Sequence, residues 1–135
     1  MAEYYKHKVG LGHAPSYQVS GHPFLTGALS TVNDVEEKVE FPRVAKKVTI
    51  QNTGGSALKV HFNSHGSGNH VTDNLHFITL PSLGANRDLS RMTFEVKCKE
   101  IYLTPAGNTS YEVYAELTGI ETKEMYPLTG SGLTE

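Results

Sequence analysis

Between Met92 and Ile120 the chain reads MTFEVKCKEIYLTPAGNTSYEVYAELTGI, and its apolar residues recur at every second position. Met92, Phe94, Val96 and Cys98 share one parity, while Thr93, Glu95, Lys97 and Lys99 take the other. That period belongs to a strand with one buried face and is foreign to a helix. At Glu100 the alternation slips by one residue, so that Ile101 and Leu103 carry the apolar face onward, and a β-bulge at Lys99–Glu100 is the expectation. Pro105, Gly107 and Asn108 then supply turn chemistry. Beyond them Tyr111, Val113, Ala115 and Leu117 resume the alternation against Glu112, Tyr114 and Glu116. The pattern predicts an antiparallel hairpin with one apolar side.

The same grammar runs upstream. Val35, Val39 and Phe41 mark a first strand that Pro42 closes, and Val44, Val48 and Ile50 mark a second that ends in the turn Asn52-Thr53-Gly54-Gly55. Leu58, Val60 and Phe62 alternate with Lys59 and His61, so 44–51 and 57–63 are expected to form another hairpin. Residues 63–73 read as a loop, Leu75 to Leu80 as a short strand stopped by Pro81, and Gly84–Arg87 as a further turn. Strands closely spaced by turns, with no helical period anywhere, predict an all-β fold: an antiparallel β-sandwich, jelly-roll-like or Ig-like, of about six to eight short strands.

Residues 1–31 differ in character, with Gly10, Gly12, Pro15, Gly21, Pro23 and Gly27 breaking any helix. Tyr17, Val19, Phe24, Leu25 and Leu29 are nevertheless too apolar for a solvated tail, so this segment is expected to be an extended N-terminal arm lying on its own domain or on a partner. The domain proper is placed at 32–120, and 121–135 as a loose C-terminal extension.

With 135 residues the chain is long enough for one domain with a substantial core. Its 12 Lys and Arg against 14 Asp and Glu leave no basic footprint, so direct nucleic-acid binding is not expected. No run approaches the roughly 20 apolar residues of a membrane span, and no export signal is recognisable; a soluble protein without membrane contact is the expectation. The single cysteine, Cys98, shares the parity of Phe94 and Val96 and is expected to be a buried thiol.

Four histidines follow one another at His61, His65, His70 and His76. Histidine is a common ligand of zinc, copper and iron, but this spacing matches neither H-x-H nor H-E-x-x-H, and no carboxylate lies between Asn63 and Thr72. His61 alternates off the apolar face, so exposed loop histidines are favoured over a metal site. His7, His13 and His22 sit in the arm and are expected to be surface residues. There is no G-x-S-x-G, and the NTGGS turn lacks the trailing lysine of a phosphate-binding loop. No catalytic residue and no cofactor are expected. Tyr102 and Tyr114 fall opposite the apolar face of their hairpin, where they would form an exposed stacking platform or ordinary cross-strand pairs, or lie under the N-terminal arm.

Taken together, the arm SYQVSGHPFLTGAL, the turn segment NTGGSALKVHF and the late segment FEVKCKEIYLTPAGNTSYEVYAELTGI resemble small β-rich structural proteins of tailed-bacteriophage virions, of the head decoration or cement type. The resemblance implies a non-catalytic protein made in the host cytoplasm and carried on the capsid surface. It implies symmetry-related copies, often trimers, that bind the major capsid protein or other virion proteins through terminal arms. Tyr17, Val19, Phe24 and Leu25 would then be the principal contacts, joined by Tyr102 and Tyr114. Two other readings remain open from the residues: a carbohydrate- or surface-binding module built on Tyr102 and Tyr114, and a cupin-like metal-dependent enzyme built on His61, His65 and His70.

Overall fold

The structure, a computed structural model, describes residues 10–12, 14, 21–64 and 76–126. Seven strands are found among them: β1 (His22–Ala28), β2 (Glu37–Asn52), β3 (Leu58–His61), β4 (Ile78–Leu80), β5 (Arg91–Phe94), β6 (Cys98–Pro105) and β7 (Tyr111–Leu117), followed by one 3-10 turn (Thr122–Glu124). Every pairing is antiparallel, and the strand order is β1-β7-β2-β6-β3-β4 with β5 beside β2. The expected all-β, antiparallel sandwich-type fold is what forms.

The sixteen-residue β2 explains how one sheet becomes two layers. Its first residues, Glu37–Glu40, pair with Leu103–Glu100 of β6. Its last residues pair with β7 on one side, Val48 opposite Ala115 and Ile50 opposite Val113, and with β5 on the other. Between the two regimes the β6 partner moves only from Glu100 to Cys98 while β2 advances from Glu40 to Ala45, so three extra residues are accommodated in β2. Such an irregularity bends a strand sharply, and Pro42, which has no N–H to offer a ladder, is tolerated there. The corner is fastened from outside: Val44 N–H donates to Ile120 O (3.0 Å), and Val44 O accepts from Thr118 N–H (2.8 Å) and Thr118 Oγ1 (2.7 Å).

Folding at this corner turns the inner faces toward each other. Val39, Leu58, Val60, Leu80, Ile101 and Leu103 from one layer meet Val48, Ile50, Val113, Ala115 and Leu117 from the other in a single buried cluster. Two edge-on aromatic pairs lie across it, Phe24–Phe41 and Phe62–Phe94, each with ring centroids 5.6 Å apart. Removing side chains of this size from water contributes about 1.5–3 kcal/mol each. Cys98 is fully buried, as its parity predicts.

Several expectations are corrected. The segment 92–120 is not a hairpin: the strand breaks at 95–97, β5 and β6 lie in different layers, and β6 does not pair with β7. The slip in alternation is real, since Cys98, Ile101 and Leu103 all face the core, but the extra residues lie in β2 opposite Cys98–Glu100. Residues 44–51 and 57–63 are likewise not paired, because the Asn52 turn carries the chain from one layer to the other. The two strands expected around Pro42 are one bent strand, and Val35 lies outside it, 50% exposed. In the stretch expected to be an arm, residues 22–28 are an edge strand whose Phe24 packs into the core. The segment after 120 is not loose at its start, for Met125 is buried against Val44 and Ile120.

Candidate functional site

Each layer presents an outer face, and the two differ in kind. On the β2–β6–β3 side, register places Lys38, Tyr102 and His61 in one cross-strand row, with Glu40 and Glu100 beside it. His61 is buried, at 1% exposure, where an exposed histidine is expected, and Tyr102 is buried too, at 7%, which corrects the exposed-platform alternative for it. Their rings stack at 6.0 Å and 10°. Tyr102 donates its hydroxyl proton to Glu100 Oε2 at 2.8 Å, and Lys38 Nζ sits 3.4 Å from both Glu100 Oε1 and Glu40 Oε2. His61 Nδ1 lies 2.8 Å from Asn63 O and Nε2 lies 2.8 Å from Thr104 Oγ1. A carbonyl only accepts, so Nδ1 carries the proton and, in the neutral ring, Nε2 accepts from Thr104. Glu36 completes the row, with Oε1 3.9 Å from His61 Nε2 and Oε2 accepting from Ser64 Oγ at 2.8 Å.

With both ring nitrogens committed, His61 is a structural tie between β3, β6 and the start of the following loop. His65 and His70 lie outside the described residues, as do Tyr17 and Val19 of the arm. Among the described residues no group of three or more His, Cys, Asp or Glu is placed to hold a metal ion. Alternation along β3 put His61 correctly on the outer face, but carried no sign that this face would be covered.

The other outer face is open. Leu25, Tyr114, Thr49 and Thr93 form a continuous row across β1, β7, β2 and β5, and Gly27, Glu112, Gln51 and Arg91 form the next. Thr49 and Thr93 share a hydroxyl hydrogen bond of 2.8 Å. A trough of about 600 Å³ runs between Leu25, Leu29, Gln51, Glu112 and Tyr114. Gly27 makes its depth: a Cβ there would stand 2.5 Å from Tyr111 O, so no side chain fills the space. Tyr114 is 37% exposed in this trough while Tyr102 is buried on the opposite layer, so the two never form a joint platform.

The chain between β1 and β2 holds the residues that sequence reasoning passed over. Leu29, Val32 and Val35 are 96%, 64% and 50% exposed, yet the backbone that carries them is tightly held. Thr31 Oγ1 donates to Gly107 O (2.9 Å) and accepts from Thr109 N–H (3.0 Å). Asp34, in the left-handed region at φ 60°, donates its N–H to Pro105 O at 2.8 Å, and Asn108 Nδ2 donates to Ser30 Oγ at 2.9 Å. The sequence marks Leu29 as an anchoring residue of the arm and Val35 as the start of a buried strand, so the two do not read as one exposed set.

Burial raises the Tyr102 and Tyr111 hydroxyls above their ordinary value, with help from Glu100 and Glu37 respectively; Tyr111 donates to Glu37 Oε1 at 2.6 Å. Burial also pushes the Cys98 thiol up to about 12. Unfolded, these groups release protons near 9.0 for the thiol and 10.0 for the phenols, whereas the folded chain retains them. The unfolded state then binds fewer protons, so stability is full below about pH 9 and declines as pH rises further. The urea midpoint is therefore expected to fall from about pH 9 upward, less steeply above about pH 10 in Tyr111→Phe than in the parent; identical slopes would contradict this.

No protein-family model matches the chain, and no curated protein matches it.

Proposed function

We propose that this is a non-catalytic virion protein of the head-decoration type, which binds the capsid surface through the exposed segment that follows β1. The observation that supports this is the set of exposed aliphatic residues Leu29, Val32 and Val35 on a backbone fixed by the 105–109 turn. Exposed apolar side chains on a pre-ordered segment suit docking, because little conformational entropy remains to be lost on binding. A lattice of identical capsid sites would add multivalency when several copies are linked. The partner on this reading is the major capsid protein or another virion protein, and the location is the capsid surface.

The test is co-sedimentation of purified chain with capsid particles that lack it. The parent is expected to pellet with the particles, and Leu29→Asp combined with Val32→Asp is expected to weaken binding at least tenfold, equivalent to about 1.4 kcal/mol, without changing the melting curve. A double variant that binds like the parent would remove this set from the reading. Deleting 1–31 is not a suitable test, because it also removes β1. Tyr114→Ala with unchanged particle binding is the companion result, whereas Tyr114-dependent binding to a glycan array would favour the carbohydrate-module reading instead.

A further inference from the structure

The sheet's edges are unequal. β4 has three residues and is closed at once by Pro81, while β5 has four and is followed by Glu95 and Lys97. Shortness, proline and charge are the usual protections of an edge strand. β1 has seven residues, HPFLTGA, and among the described residues its only ladder partner is β7. Neither Asp, Glu, Lys nor Arg occurs anywhere from Val9 to Asn33, although the chain carries 26 such residues elsewhere. Pro23 gives the start of β1 no N–H to offer, but from Phe24 to Ala28 the edge is free of proline and of ionic side chains, with Leu25 at 73% exposure, and is open to strand pairing.

We infer that β1 pairs antiparallel with β1 of a second copy about a twofold axis at Leu25, joining two outer layers into one eight-stranded sheet. Charge and shape both favour a second copy as the occupant. Strand-to-strand pairing of identical chains sets like residues close together, and the absence of ionic side chains leaves no like-charge repulsion to oppose it. In this register Pro23 faces Gly27, so a proline ring on the outer parity meets the one residue of the strand without a side chain. Leu25 meets Leu25, extending the row through Tyr114 of each copy into an apolar strip across the junction. Thr26 and Phe24, on the inner parity, also come opposite each other.

This pairing ends one residue before Leu29, leaves Val32 and Val35 outside the junction, and does not depend on what the pair attaches to. It makes the basic unit twofold, in place of the threefold implied by the resemblance to decoration proteins.

Light scattering of the full chain at rising concentration is expected to approach twice the 14.8 kDa monomer mass. Thr26→Lys, which puts like charges on the paired edges, is expected to hold the mass at the monomer value with an unchanged far-ultraviolet spectrum. In a second measurement, Leu25→Cys is expected to cross-link two copies under mild oxidation, while Leu89→Cys, exposed and remote from β1, does not. A monomeric parent at every concentration, a threefold mass, or a dimer that Leu25→Cys fails to cross-link would each overturn the inference. Because particle binding is read separately through Leu29 and Val32, a monomeric chain that still pellets with capsids would end this inference alone.

Discussion

Asn52→Asp is expected to lower stability by roughly 4 kcal/mol, and Asn52→Ala by roughly 3 kcal/mol. Asn52 is completely buried at the end of β2. The two protons of its Nδ2 are shared among three carbonyls, Ser56 O (2.8 Å), Pro81 O (3.0 Å) and Leu80 O (3.2 Å), while Oδ1 accepts from Thr109 Oγ1 (2.7 Å) and Gly54 N–H (3.2 Å). Three connections meet at this one amide: the turn into β3, the end of β4 and the crossing from β6 to β7. Alanine leaves buried partners unsatisfied, each at about 1–3 kcal/mol before relaxation. Aspartate is worse, because a carboxylate would face three carbonyl oxygens with no proton to give them. That repulsion would raise the aspartate's folded-state pKa above its unfolded value. The variant should therefore recover stability toward acid, below about pH 4, and lose it as pH rises. Urea denaturation checks both statements through the midpoint at constant slope, and a loss below about 1 kcal/mol for either variant would show that water replaces the amide cheaply.

Deleting residues 1–28 is expected to cost roughly 3–5 kcal/mol and to produce a chain that binds a hydrophobic dye or aggregates. β1 covers one side of β7 from Tyr111 to Leu117, and its Phe24 contributes to the central cluster beside Phe41. Without β1, the ladder groups of β7 lose their partner, and the flank of Val113 and Ala115 is opened. A deletion ending at residue 20 keeps β1 and separates the strand's contribution from that of the preceding residues. Thermal melts of the two truncations provide the measurement; equal melting temperatures would mean that β1 is dispensable.

What could be seen in the sequence, and what could not, follows from what alternation encodes. Period-two patterning reports which side chains face a core, so Phe94, Val96, Cys98, Ile101, Leu103, Tyr111, Val113 and Leu117 were placed on the correct face, and all belong to the buried cluster or pack against it. Alternation says nothing about neighbours. Two strands in opposite layers of a sandwich show the same apolar parity as two strands of a hairpin, which is why 92–120 read as one ribbon although β6 and β7 never pair. Pro42 looked like an end because proline usually ends a ladder; here it occupies the corner of a strand that continues.

The candidate site was less legible for a related reason. Tyr102 and His61 are on the outer parity, which in an antiparallel sheet normally means solvent, and their burial comes from polar contacts that have no period. Glu36, Asn63, Ser64 and Thr104 are unremarkable in one dimension and become a set only when β3 lies beside β6. Conversely, Leu29, Val32 and Val35 have strand-like composition but are held outside the core by the hydrogen bonds of Thr31 and Asp34. Of the contacts named from the sequence, Leu25 and Tyr114 are exposed in the described region, at 73% and 37%, while Tyr102 is buried.

The pairing of β1 with β7 has a consequence for how the chain is made. His22 lies opposite Leu117, and the two halves of β2 depend on β6 and on β7 with β5. During synthesis, β1 emerges long before β7, its ladder partner among the described residues, and β2 gains its described partners when β5, β6 and β7 follow. Such distant pairings make folding slow and leave early strands unsatisfied meanwhile. An uncharged β1 waiting for β7 is then the segment most exposed to mispairing between nascent chains, so high-level expression should yield more soluble protein when synthesis is slowed.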